Sequence, residues 1–110
     1  SERRNLIKHN LAATVKQIRD DDPRQLLPTD NDVTAFWITH PDNDVIDNAA
    51  SGGINCMWYA LPRKPTGLSE VTGLFDSDPN FQDIRSAPMG LHSGNVLHSC
   101  ERGLFVDHGP

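Results

Sequence analysis

Phe36-Trp37-Ile38-Thr39-His40-Pro41-Asp42-Asn43-Asp44-Val45-Ile46-Asp47-Asn48-Ala49-Ala50 is the stretch on which the reading of this chain turns. Phe36 to Ile38 form a bulky, β-prone run. His40-Pro41-Asp42-Asn43 then makes a corner: a residue before proline is pushed out of the helical region, and asparagine tolerates left-handed geometry. Beyond the corner, the apolar pair Val45-Ile46 is bounded by Asn43 and Asn48. This asparagine-bounded piece recurs. Asn5-Leu6-Ile7-Lys8-His9-Asn10, Asn43-Asp44-Val45-Ile46-Asp47-Asn48 and Asn95-Val96-Leu97-His98-Ser99-Cys100 each open with Asn, carry two consecutive apolar-rich positions and close on a small polar residue. One supersecondary unit, repeated, points to stacked coils before it points to any chemistry.

The three hexapeptides begin at residues 5, 43 and 95. Helical repeat arrays keep a fixed period, so the unequal spacing speaks against them. It suits an all-β solenoid, a parallel β-helix in which every coil keeps its strands and lets its corners lengthen. Coils would then stack with strands ~4.8 Å apart, and a polar residue at a repeated corner would hydrogen-bond to its equivalent above and below. Asn10, Asn48 and Cys100 take that ladder position.

Outward from this core, residues 5–19 read two ways. Leu11, Val15 and Ile18 have helical spacing, whereas the match to the later hexapeptides favours a strand at about 5–8 and a second extended run from Thr14 to Ile18. Val33–Thr39, Val45–Ile46, Met57–Leu61, Val96–Leu97 and Gly103–Val106 are predicted strands, with a corner at Gly52-Gly53. Two long loop insertions, about 19–32 and 62–91, interrupt them; the first carries Pro23 and Pro28, which remove backbone donors.

A chain of 110 residues is one domain-sized segment, and 36% apolar content is low for it. Either the core is thin or neighbouring protein covers part of it. The net charge of −5 argues against nucleic acid as a partner and against unaided grip on an anionic polysaccharide. Acidic pairs and triples such as Asp20-Asp21-Asp22 read as solvated turns. No apolar run approaches the ~18 residues of a membrane-spanning helix, and the amino-terminal residues lack the apolar region of a signal peptide.

Several residues invite chemical readings. Cys56 and Cys100 are the only cysteines. They read as two separate buried thiols or, if stacking brings them together, as a disulfide suited to an extracellular setting. A metal site from Cys56, His98 and Cys100 lacks a fourth ligand. Asp76, Asp78 and Asn80 occupy the first, third and fifth positions of a calcium loop. Phe81 stands where an EF-hand needs glycine, which leaves at most a looser calcium site. Asp42, Asp44, Asp47 and Asp107 are carboxylates that a stacked face could pair for glycoside hydrolysis. Trp37, Trp58 and Tyr59 are candidates for stacking on sugar rings, with core packing as the plainer reading. The five histidines come with no nucleophile-elbow or Ser-His-Asp spacing.

His9-Asn10-Leu11, Leu26-Leu27-Pro28-Thr29-Asp30, the Phe36–Ala50 stretch, Trp58-Tyr59, Pro65-Thr66-Gly67 and Gly103-Leu104-Phe105-Val106-Asp107-His108-Gly109 follow one another in an order that resembles a known family. It is the β-helix region shared by the cell-surface hyaluronidases, by fibrocystin and by fibrocystin-L. The resemblance runs from about Asn5 to Gly109 and is most specific in Phe-Trp-Ile-Thr-x-Pro-x-Asn followed by Asn-Ala-Ala-x-Gly. It implies a right-handed parallel β-helix, an extracellular or cell-surface location, and a segment of a larger protein whose remaining coils are its first partners. Extracellular glycans or other cell-surface proteins are further partners it implies. The chain departs from the pattern at Cys56, Met57 and Cys100. It also lacks the cysteine-containing insertion that the hyaluronidase branch carries before the Phe-Trp strand. That missing insertion tilts the resemblance toward the fibrocystin-like or a divergent branch and, with the acidic charge, toward a structural or interaction role, with a calcium-assisted glycosidase as the alternative.

Overall fold

The computed structural model describes residues 3–19, 21–24, 32–64 and 83–108. These residues form nine strands: β1 Leu6–Lys8, β2 Leu11–Val15, β3 Thr34–Ile38, β4 Asp44–Ile46, β5 Ala49–Gly52, β6 Asn55–Ala60, β7 His92–Ser93, β8 Val96–His98 and β9 Arg102–Asp107. One 3-10 turn, Ile84–Ser86, precedes β7. The strands pair in parallel into three sheets, ordered β1-β4-β7, β2-β5-β8 and β3-β6-β9. The chain thus makes three passes, each laying one strand into every sheet, and the second pass lies between the other two.

The all-β expectation stands, with no α-helix among the described residues. The expected right-handed β-solenoid is corrected: the residues build three separate three-stranded sheets, none closed on itself. The reason is local. Strands of two to six residues end at corners where the backbone turns left-handed, so pairing cannot run on from one sheet to the next. His9 (φ 57°), Asp47 (φ 53°) and Gly94 (φ 68°) make the corner between the first and second sheets. Histidine and aspartate are among the few side-chain-bearing residues that enter this region readily. At Gly94 an added Cβ would lie 2.0 Å from Asp47 Oδ1, so that carboxylate would have to swing away to admit a larger residue.

One strand is shifted from expectation and two were not expected. The second strand is Leu11–Val15, starting directly after the His9-Asn10 corner, and not Thr14–Ile18. Left-handed Thr14 (φ 57°) and a register shift between Ala12 and Val15 mark where its pairing with β5 breaks down. β5 and β7 are absent from the sequence reading because Ala-Ala-Ser-Gly and His-Ser carry little β propensity. They are extended because strands of the neighbouring passes pair with them.

The core sits among the inward faces of the three sheets. Ile38, Val45, Met57 and Tyr59 form its buried centre, with Ile7, Phe36, Leu61 and Leu97 packed against them. In β3, β6 and β9 the inward residues alternate with an outward row, Trp37, Trp58 and Phe105, held in register with one another. All six residues of β6 are buried, since β3 covers one edge of it and β9 the other.

Candidate functional site

The three left-handed corners place an asparagine at the same height in each pass. Asn48 donates from its backbone N–H (3.0 Å) and its Nδ2 (3.1 Å) to Asn95 Oδ1, and Asn10 does the same to Asn48 Oδ1, at 3.0 and 3.1 Å. The second Nδ2 proton of Asn48 reaches Ile7 O and that of Asn10 reaches Lys8 O, while Asn95 Nδ2 donates to Val45 O. The ladder is therefore Asn10, Asn48, Asn95. Cys100 is not its third rung. The third hexapeptide is out of phase with the first two. Asn5 does face Asn43, donating to its Oδ1 at 3.0 Å, but Asn95 is level with Asn48 and the counterpart of Asn43 is near Gly90. The signal for the true phase is a left-handed-tolerant residue, then Asn, then an apolar residue: His9-Asn10-Leu11, Asp47-Asn48-Ala49, Gly94-Asn95-Val96.

Cys100 instead forms a disulfide with Cys56, joining the second and third passes. With both sulfurs so bonded, neither supplies a thiolate to the metal site considered with His98. Nδ1 of His98 lies 3.0 Å from Ser99 Oγ. No group of three or more potential metal-ligating side chains occurs among the described residues. Asp76, Asp78 and Asn80 lie outside them.

The outward aromatic row forms a second ladder. Trp37 stacks on Trp58 with centroids 5.4 Å apart and planes 8° from parallel, and Phe105 follows, tilted, at 6.1 Å. The guanidinium of Arg102 caps the row, 4.5 Å from the Phe105 centroid. Trp58 Nε1 donates to Asp107 Oδ1 at 2.7 Å, which fixes the middle ring. Of the three aromatic residues considered for sugar stacking, Trp37 is 57% exposed, whereas Trp58 and Tyr59 are buried. Tyr59 belongs to the core, where its hydroxyl lies 3.3 Å from His92 Nδ1 and burial pushes its pKa up to about 12.

Each of the four carboxylates considered for glycoside hydrolysis makes a contact between passes. Asp42 lies 3.5 Å from Arg4 Nε and Asp47 lies 3.4 Å from His9 Nε2, both joining the first pass to the second. Asp44 Oδ1 accepts the Leu91 N–H at 2.8 Å, and Asp107 accepts from Trp58, both joining the second pass to the third. The corner at residues 40–43, proline-marked in the sequence, is a further junction that sequence reasoning treated only as a turn. His40 is buried, its Nδ1 accepts the Asp42 N–H at 3.1 Å, and its carbonyl accepts from Asn43 Nδ2 at 2.8 Å. Desolvation holds the imidazole below its ordinary pKa, with a smaller opposing pull from Asp42 and a small repulsion from Arg3.

Comparison with known proteins matches residues 1–104 to the family described as CEMIP beta-helix. The human cell surface hyaluronidase CEMIP2 is 32% identical over 98% of this chain, which spans 9% of that protein. Mouse fibrocystin-L is 34% identical over 86% of the chain, or 2% of its own length. Human cell migration-inducing and hyaluronan-binding protein is 32% identical over 72% of the chain and 6% of itself. No solved structure matches the chain. The stretch from Phe36 to Ala50 that carried the resemblance is thus part of a match covering nearly the whole chain. The chain belongs to the CEMIP beta-helix family, and it is a segment of an extracellular, cell-surface protein.

Proposed function

We propose that this segment is structural and interactive, a braced part of a large cell-surface protein of ciliary or cell-coat type, and that it is not a catalytic centre. The observation that carries this reading is the use made of Asp42, Asp44, Asp47 and Asp107: each bridges neighbouring passes. A glycosidase instead needs two carboxyl groups facing one bond, ~5–9.5 Å apart and free to exchange a proton. Partners on this reading are the rest of the same polypeptide first, then extracellular glycans or other cell-surface proteins. Exposed Trp37 is the aromatic group best placed for a sugar ring. The missing cysteine-containing insertion before the Phe-Trp strand also favours the fibrocystin-like branch.

A second reading has a specific support, the names of the hyaluronidase relatives. The whole protein would then be a hyaluronan-cleaving, calcium-assisted glycosidase whose active site lies outside the described residues. The test is hyaluronan depolymerisation by the full-length protein displayed on cells, with and without calcium, beside Asp44→Asn, Asp47→Asn and Asp107→Asn. Any turnover, normalised to surface abundance, should stay within about twofold of the parent in these variants. Loss of turnover at unchanged surface abundance would assign catalysis to this segment and overturn the structural reading.

A further inference from the structure

At the corner of residues 40–43 a buried histidine sits where all three passes meet. From the first pass, Arg4 N–H donates to Asp42 O and Asn5 N–H to Asn43 Oδ1 (3.0 Å), while Asp44 N–H returns a bond to Asn5 O at 2.9 Å. From the third, Gly90 N–H donates to Pro41 O at 2.9 Å. All of these depend on the path of the corner backbone. That path is pinned from inside by the His40 ring, through Nδ1 and the Asp42 N–H, and by the His40 carbonyl, through Asn43 Nδ2. Nδ1 accepts this bond only while it carries no proton.

We propose that His40 is an acid-sensitive latch: neutral, it holds the corner that ties the first and third passes to the second, and protonated, it releases them. Protonation removes the acceptor for the Asp42 N–H and puts a charge into a buried site. The charged groups facing the ring are few. Asp42, on its own turn, is already paired with Arg4. Arg3 comes from the segment before β1 and repels a second positive charge. The segment that approaches from the third pass, 87–91, carries no charged side chain.

The sign follows from linkage. The folded pKa is depressed, so below the ordinary value of 6.5 the open corner binds more protons than the closed one. Closure is therefore complete at neutral pH and weakens as the medium acidifies from about that value downward. A cell-surface protein meets that range on passing into acidified compartments, where histidine switches are used.

Hydrogen exchange of the full-length protein, corrected for the intrinsic pH dependence of exchange, reads the latch directly. Between pH 7.4 and 5.5, peptides covering residues 3–8 and 87–93 should lose protection by roughly three- to tenfold, the range open to one coupled proton. His40→Gln should show no such loss. The other imidazoles at inter-pass contacts, His9 facing Asp47 and His92 facing Tyr59, remain intact in that variant. Protection unchanged with pH in the parent, or a full loss persisting in His40→Gln, would overturn the proposal. If His40→Gln does not reach the surface, Arg3→Glu decides the matter. It replaces a repelling charge by an attracting one and should shrink the acid-induced loss; an undiminished loss would also overturn the latch.

Discussion

β6 and β9 lie side by side in one sheet, with residues that face the same interior, yet their environments differ sharply. Met57 and Tyr59 in β6 are fully buried, at 0% and 1% exposure, whereas their register partners in β9, Leu104 and Val106, are 46% and 56% exposed. The inward direction is shared, so direction does not account for the difference. β6 has a strand on each edge, and β9 has one neighbour among the described residues. Burial in this fold is therefore conferred along the stacking direction, by the pass above and the pass below, as much as by the side-chain face. The same contrast holds for the asparagines: Asn48, with a rung on each side, is 1% exposed, while Asn10 is exposed.

The largest effect should come from emptying the doubly covered position. Tyr59→Ala removes a buried ring and leaves His92 without its partner, and should cost about 3–5 kcal/mol in chemical denaturation. Val106→Ala at the matching position of β9 should cost below about 1 kcal/mol, because much of that side chain is already in water. Equal losses at the two sites would break the comparison.

Next in size is the covalent tie between these same passes. Cys56 and Cys100 close a loop of sequence separation 44. Their joint replacement by serine should cost roughly 2–4 kcal/mol, most of it through a less restricted unfolded chain. The result sharpens the comparison if reduction raises hydrogen exchange in β8 and β9 more than in β6. A uniform rise would show that the disulfide does not act selectively on the third pass.

Much of this arrangement was legible in the sequence, and the parts that were not have identifiable causes. Phe36-Trp37-Ile38 and Trp58-Tyr59 announced β3 and β6 because bulky β-prone residues were grouped there. Asn10 and Asn48 were legible as a pair because residues 5–10 and 43–48 both open and close on Asn, with Ile7 and Val45 at the same offset. Asn95 was hidden because the third hexapeptide opens on it. Aligning the hexapeptides by their first residue slid the third pass out of phase and put Cys100 in the ladder. A short apolar pair between polar residues carries too little information to fix its own register; the left-handed residue before each ladder asparagine does fix it. β5 and β7 were invisible for a related reason: their extended form comes from neighbours distant in sequence, not from their own side chains.

The central claim is that Asn48 locks the three passes together through Asn10 on one side and Asn95 on the other. A double-mutant cycle by chemical denaturation on Asn48→Ala and Asn95→Ala tests it most directly. Asn48→Ala alone should cost about 1–3 kcal/mol, since the Asn10 N–H loses its acceptor inside the protein. The coupling with Asn95→Ala should exceed about 0.5 kcal/mol. Additive losses for Asn48 and Asn95 would contradict the ladder and, with it, the stacking of the third pass on the second.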